Sequence, residues 1–379
     1  MKAILKSFRK TLQNLFKNFF YKIFLIFHGK IIGIINGSEN KERVVIEKVK
    51  FDNLEYKLYS AKKARLYTDR INDTAVILDN LILEGPSFQI RQDKKNHLHY
   101  ANAKQNIVFT KGTPRKKRIL KGKLLSLLTG GAGNENYFHW IYDVLPRFAL
   151  VEKFFNLNEF NFFLVPDNKK KFQIETLELL KIPKNKFISS MEYRHIYADE
   201  IVVTDHPYVT TGNATHDIQN MPAWLSKWLC KKFLKATSSK DSFPKRIYID
   251  RTDSTSNSRQ LRSIINENEI KNFLSKLDFT FIKLADYHFI EQSQMFNNAD
   301  FIIGLNGAGF ANICFCKPGT KVIEITSNTE GKVLENLGNK NELKFKSIKC
   351  EPQEYNLSNQ MGHIHVSVDY LKKIIESLN

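Results

Sequence analysis

The chain has 379 residues, 42% of them hydrophobic and 12% aromatic, with 58 Lys and Arg against 39 Asp and Glu for a formal net charge of +19. That length and apolar content support two α/β domains with an appendage and exclude a disordered chain. The charge attracts nucleic acid, anionic lipid or polyphosphate-bearing ligands, but no helix-turn-helix, zinc-finger or RNA-recognition signature accompanies it, which argues against nucleic acid.

The first predicted element is a basic amphipathic helix. Ile4, Leu5, Phe8, Leu12, Leu15, Phe16, Phe19, Phe20, Ile23, Phe24 and Phe27 recur at three- and four-residue steps, with Lys2, Lys6, Arg9, Lys10, Lys17 and Lys22 on the other side. Lys17, Lys22, His28 and Lys30 interrupt every window long enough to span a bilayer, and there is no small-residue cleavage site. Residues 1–42 are therefore expected to be a surface helix and linker, with residues 1–30 lying on an anionic membrane.

Residues 43–123 read as a β-rich leader, with strand-like runs at Val44 to Ile46, Ala75 to Leu78 and Phe88 to Arg91. In residues 124–236 the rhythm becomes strand, loop, helix: Leu124 to Leu128 before a helix from Asn136, Asn161 to Val165 before Phe172 to Leu180, then His195 to Val203. A helix from Pro222 to about Ala236 and a polar connector, Thr237 to Ser242, lead into residues 243–379. There strands are expected near Arg246 to Ile249, Phe279 to Leu284, Phe301 to Leu305 and Lys321 to Ile325, and a closing helix over Val368 to Leu378. Such alternation predicts an α/β fold with two Rossmann-like halves.

Three constellations carry candidate chemistry. The first runs from Gly130 to Arg147. Its glycine-rich turn lets backbone approach a ligand, and the helix expected after it places Asn136, His139, Asp143 and Arg147 on one polar stripe at steps of three, four and four. His139 with Asp143 reads as a general-base pair, and a capping and domain-packing network fits the same spacing. The second is the Arg246 to Ile249 strand followed by Asp250 and Arg251, then a Ser, Thr and Asn-rich loop with Arg259 and Arg262. These arginines are suited to phosphate oxygens. Asn266 and Glu267 follow, Asn266 with Glu269 reading as a helix N-cap box. The third is Asp300 to Asn312, an apolar strand running into Asn306, Gly307, Ala308 and Gly309 and a helix start, an arrangement that seats a diphosphate on backbone N–H groups. Glu324, taken as the end of the next apolar strand, is placed to accept from ribose hydroxyls.

Two His-x-His pairs, His97 with His99 and His363 with His365, have no third ligand at useful spacing, and the chain has no Asp-x-Asp. No metal site is expected; cations and helix N-termini would neutralise a leaving diphosphate instead. Cys230, Cys314, Cys316 and Cys350 lack Cys-x-x-Cys spacing and suggest neither a disulfide framework nor a zinc site, in keeping with a reducing compartment.

Taken in order, these motifs resemble glycosyltransferase family 61, which includes bacterial capsular and lipopolysaccharide enzymes. Asn136 to Trp140 with Asp143 and Leu145 to Arg147 is similar to the family's first signature; Arg251, Arg262, Asn266 and Glu267 to its second; Asn306 to Gly309 with Asn312, then Cys316 to Gly319 and Glu324, to its third. The resemblance covers roughly Ala64 to Glu324. One departure is Asn306, where the family usually has His before the Gly-Ala-Gly.

The resemblance implies a GT-B arrangement of two Rossmann-like domains and an inverting transfer from a nucleotide sugar, with a uridine diphosphate sugar the leading donor and no other cofactor. The carboxyl-terminal domain would hold the donor through Arg251, Arg259, Arg262, Asn306, Gly307, Ala308, Gly309, Asn312 and Glu324. The amino-terminal domain would hold a surface polysaccharide or glycolipid acceptor, with Asn136, Arg147, Asn266 and Glu267 as further substrate contacts and His139, oriented by Asp143, as the base. The expected place is the cytoplasmic face of the plasma membrane. Two other classes stay open: a catalytically silent nucleotide-sugar-binding subunit, and a sugar-nucleotide oxidoreductase or epimerase, the latter disfavoured by the glycine pattern.

Overall fold

The structure, a computed structural model, describes residues 2–69, 73–92, 98–131, 136–234, 243–252, 255–256, 259–260, 262–327, 331–354 and 363–378. The chain divides into two compact units. Met1–Glu135, Asp143–Gln173 and Leu180–Thr215 form the first, and Asn136–Tyr142, Ile174–Leu179 and His216–Asn379 form the second. The expected connector, residues 237–242, lies outside the described residues, as do residues 132–135 of the first glycine turn and His97.

Among the described residues of the first unit, nine strands make one sheet. Its order is Gly33–Ile35, Leu81–Leu83, Asp73–Leu78, Leu54–Asp69, His195–Thr204, Arg118–Ser126, Phe162–Val165 and Phe187–Ser189, with Val44–Phe51 also paired to Leu54–Asp69. An antiparallel ladder from His195 opposite Tyr67 to Thr204 opposite Leu58 joins two halves. On one side Val44–Phe51, Leu54–Asp69, Asp73–Leu78 and Leu81–Leu83 pair antiparallel; on the other the strands are parallel. The leader strands and the α/β strands after them thus share a sheet. Burial explains the join: Leu66, Ala64 and Ala61 stand opposite Ile196, Ala198 and Ile201, and all six are buried.

The first unit also carries the Lys2–His28 helix. Gly29 ends it with a φ of +72°, its N–H donating to the Leu25 carbonyl at 2.9 Å. No described helix is long and apolar enough to cross a membrane.

The helix expected from Asn136 is not continuous. Tyr137–His139 is one α turn, Trp140–Val144 is a π turn, and Pro146–Val151 is a short α-helix. Pro146 accounts for the change, because it has no N–H for the Tyr142 carbonyl and its ring crowds that oxygen, so the turn before it widens. The single stripe of Asn136, His139, Asp143 and Arg147 is corrected accordingly: the wide turn breaks the α-helical phase between His139 and Arg147. The division between units falls here too, with His139 in the second and Asp143 in the first.

The second unit is a doubly wound parallel sheet in the order Thr280–Ile282, Arg246–Ile249, Phe301–Leu305, Lys321–Ser327, Lys344–Cys350. Phe301–Leu305 is buried throughout and Lys321–Ser327 nearly so, the pattern of strands covered on both faces. Tyr248, Ile303, Ile323, Leu274 and Leu371 form one core with the Glu267–Ser275 and Val368–Leu378 helices.

Candidate active site

In the second unit's sheet, the chain leaves Arg246–Ile249 to form a strand on one side, Thr280–Ile282, and then returns to form Phe301–Leu305 on the other. The helices after these two central strands must diverge, which opens a crevice beyond their carboxyl ends. Asp250 and Arg251 leave one strand there, and Asn306 and Gly307 leave the other. A Cβ on Gly307 would lie 2.5 Å from the Arg251 guanidinium carbon, so only glycine lets this guanidinium lie against the turn. Gly309 is similarly confined, its missing Cβ standing 2.6 Å from Leu284 Cδ1.

Asn306 organises the arginines. Its carbonyl accepts from Arg251 Nη1, its Oδ1 accepts from Arg262 Nη1, and its Nδ2 donates to Glu324 Oε1. The other Glu324 oxygen accepts from Ser347 Oγ at 2.8 Å. Glu324 is 2% exposed and lies inside Lys321–Ser327, which corrects its placement at a strand end. Two guanidinium groups thus converge on Asn306, whose side chain links them to the buried Glu324 carboxylate. An imidazole at position 306 would have to be the neutral tautomer to accept from Arg262 while donating to Glu324; the amide does both at any pH.

The segment after Gly307 is a 3₁₀ helix, Ala308–Phe315, rather than an α-helix start. Asn312 is wholly buried there, its Nδ2 donating to Gln292 and its Oδ1 accepting from the Tyr137 hydroxyl at 2.6 Å. The Tyr142 hydroxyl donates to the Ala311 carbonyl at 2.9 Å, and Trp140 Nε1 to Thr176 at 2.9 Å. The Asn136–Tyr142 part of the first constellation is therefore joined to the third within the second unit, through two tyrosines rather than through the polar stripe. Burial raises both phenols well above their usual range, so they act as neutral donors. Asn136 caps the Tyr137–His139 turn, accepting from Phe138 N at 2.9 Å, and the partly exposed His139 ring packs edge-on against Phe138.

Asn266 sits at the N-terminus of Glu267–Ser275, but its side chain donates to Glu269 Oε2 and accepts from Val366 N, in place of the backbone cap expected. Glu267 accepts from the Tyr248 hydroxyl at 3.0 Å and pairs with Lys271 at 3.5 Å. Lys271 also holds Asp250 at 2.9 Å. Burial acts to raise the Asp250 carboxyl, yet the bonds from Lys271 and Thr252 outweigh it and hold the group below the usual carboxylate range. The Arg259 side chain lies outside the described residues.

In the first unit, Arg147 is fully buried and clamps the first glycine turn. Its Nε donates to the Asp143 carbonyl at 2.7 Å, and Nη2 to those of Thr129 at 2.5 Å and Gly131 at 3.4 Å. Burial lowers its pKa to about 10, with Asp143, Tyr208 and Asp205 opposing. Asp143 is also buried.

Several participants were not read from the sequence. Lys271 carried a signal, standing four residues after Glu267, but Ser347, Gln292 and the pairing of His288 Nδ1 with Glu175 at 2.5 Å depend on long-range folding. His363 Nδ1 is engaged with Ser263 Oγ at 2.6 Å. Among the described residues no group of three or more His, Cys, Asp or Glu is arranged to hold a metal ion, and all four cysteines are free.

Doubly wound units place their ligand sites beyond the carboxyl ends of the strands at the switch point, where this unit has Arg251, Arg262 and the Gly307 turn. Residues 137–323, just under half of the chain, match the family model Glycosyltransferase 61, so over that segment the chain is similar to this family. No curated protein matches the chain.

Proposed function

We propose that the protein is an inverting glycosyltransferase that moves a sugar from a nucleoside diphosphate donor to a surface polysaccharide or glycolipid acceptor. The observation that carries this reading is the Arg251, Arg262 and Asn306 cluster against Gly307 at the switch point, inside the segment similar to glycosyltransferase 61. The diphosphate would lie on the Gly307 to Gly309 backbone with Arg251 and Arg262 on its oxygens. A uridine diphosphate sugar is the donor we favour. Glu324 is buried and accepts from Asn306 and Ser347, so its first role is to orient Asn306, and a ribose hydroxyl would use a remaining lone pair of the same carboxylate.

In a single displacement the acceptor hydroxyl oxygen bonds to the anomeric carbon as the bond from that carbon to the phosphate oxygen breaks. The hydroxyl proton passes to His139, with Asp143 the second choice as base, and the diphosphate departs with its charge met by the two arginines. The proposal includes the GT-B arrangement implied by the resemblance, with the first unit serving the acceptor. It also includes attachment of residues 1–30 to the anionic inner face of the plasma membrane.

The test begins with thermal shift against uridine, guanosine, cytidine and thymidine diphosphate sugars, with and without divalent metal. Transfer from the stabilising donor is then followed in the wild type, His139→Ala and His288→Ala. His139→Ala should abolish transfer and leave donor binding intact. Near-normal turnover in that variant with loss in His288→Ala would move the base to the His288–Glu175 pair, and no donor binding at all would end the transferase reading.

A further inference from the structure

The first unit holds a second basic site, at the root of its amino-terminal helix. A solvent-open cavity of about 180 Å³ is lined by Phe27, His28, Lys63, Arg65, Asp79 and Lys117 among others. Asp79 is engaged by Arg43, which lies off the lining. Arg65 is fixed by Asn80 Oδ1 and by His195 Nε2 at 3.2 Å. Lys63 and Lys117 have no ion-pair partner among the described residues. His28 Nδ1 is buried without a hydrogen-bond partner. Burial chiefly lowers the His28 pKa, and the nearby Arg65 and Lys117 charges add to it.

The helix is tied to this cavity. Ile32 N–H donates to the Asn80 carbonyl at 3.0 Å, and a Cβ on Gly29 would meet Asn80 Nδ2 at 2.3 Å, so glycine allows the close approach. Above this root the helix leaves an apolar stripe uncovered. Phe8, Leu12, Leu15, Phe19 and Ile26 fall within roughly a sixth of the helix circumference at 3.6 residues per turn, and all are exposed, Ile26 at 81%. Phe27 lines the cavity and is itself 73% exposed, about 60° round the helix from the edge of the stripe, so apolar surface continues from the stripe toward the pocket. Exposed Arg9, Lys22 and Lys30 add positive charge along the same helix and at its root. An apolar face of this size running into a cationic pocket matches a lipid, whose tails take the first and whose phosphate takes the second. A free phosphate would use the pocket and leave the stripe wet.

We propose that this pocket receives the phosphate of an anionic phospholipid headgroup while the Phe8–Ile26 stripe lies in the same leaflet, so that the first unit is held at the membrane in one orientation. The site goes beyond general attraction of a basic helix to lipid, and it is independent of the transferase reading because it is measured without turnover.

The test is flotation of the full chain with phosphatidylcholine vesicles with and without phosphatidylglycerol. Lys63→Glu/Lys117→Glu should weaken binding to the phosphatidylglycerol vesicles at least about tenfold. Lys372→Glu/Lys373→Glu, the same charge change on the closing helix, should weaken it much less, and Leu12→Ser/Phe19→Ser should reduce binding to both vesicle types. Lys63→Gln/Lys117→Gln, a milder change, should lie between the wild type and the reversed pair, with far-ultraviolet circular dichroism checking the fold of each variant. Equal losses in the two charge-reversed variants, or wild-type binding by the Lys63/Lys117 variants, overturns the pocket. Tight calorimetric binding of inorganic phosphate or pyrophosphate in solution, lost in Lys63→Glu/Lys117→Glu, overturns the lipid as its source.

Discussion

Gly307 and Asn306 show how much of the candidate site rests on single atoms. The Arg251 guanidinium occupies the space where a side chain at 307 would begin, so Gly307→Ala must displace the arginine or the turn. We expect at least a tenfold loss of nucleotide-sugar affinity by titration calorimetry, with little change in the unfolding midpoint because the position is partly exposed. Asn306 gives a sharper contrast. Asn306→His can preserve the link from Arg262 to Glu324 as a neutral imidazole, and should keep most donor affinity above neutral pH and lose it as acid protonates the ring. Asn306→Ala leaves the Glu324 oxygen without this donor at a cost of about 1–3 kcal/mol, readable as a lower denaturant midpoint and weaker donor binding together. If Asn306→Ala binds donor as the wild type does, the amide is not an organiser of the arginines.

At the scale of elements, the central strands of the second unit were legible as apolar runs bounded by turn residues, and Arg246–Ile249 and Phe301–Leu305 fall where the sequence places them, whereas Lys344–Cys350, an alternating Lys-rich edge strand, was not expected. The turn around His139 was not. Spacing of three and four suggests an α-helix, but the missing N–H of Pro146 acts on a carbonyl one turn back and converts the intervening turn to π. Pro146→Ala supplies that N–H. The expected outcome is a return toward α-helical phase across Trp140–Val144, visible as altered amide chemical shifts there, and a fall in turnover of at least tenfold with donor affinity unchanged. Unaltered turnover would show that the π turn does not set the His139 position. The 3₁₀ segment Ala308–Phe315 was equally hidden, since its sequence suits an α-helix; tertiary bonds from Tyr137 and Tyr142 hold it as it is.

At the scale of the whole chain, the first unit carries a buried histidine with consequences for stability. His195 lies wholly buried; its Nδ1 meets the Arg115 carbonyl at 3.0 Å and its Nε2 meets Arg65. Arg65 can only donate, so Nε2 accepts and the ring is neutral with its proton on Nδ1. Burial is the chief cause that lowers its pKa to about 3, with Arg65, His28 and Lys117 adding to it and the Arg115 carbonyl opposing. The unfolded chain takes up a proton below about pH 6.5 while the folded ring does not, so stability is complete above that pH and falls as pH drops toward 3. Urea unfolding should show a loss of about 2 kcal/mol between pH 7 and pH 5 attributable to this ring, and His195→Gln should flatten that slope. An unchanged slope would mean that the ring already binds a proton when folded.

The sequence by itself determined the α/β class, the amphipathic pattern of the amino-terminal helix, and three ordered motifs, because these depend on periodicity and on residues close together in the chain. Tertiary structure alone decided that Leu54–Asp69 pairs with His195–Thr204 across more than a hundred residues, that Glu324 is buried against Asn306 and Ser347, and that Tyr137 is bonded to Asn312. Each of these joins groups far apart in sequence whose partners are selected by burial and by the need to satisfy every polar atom taken from water, and local pattern holds no record of that selection.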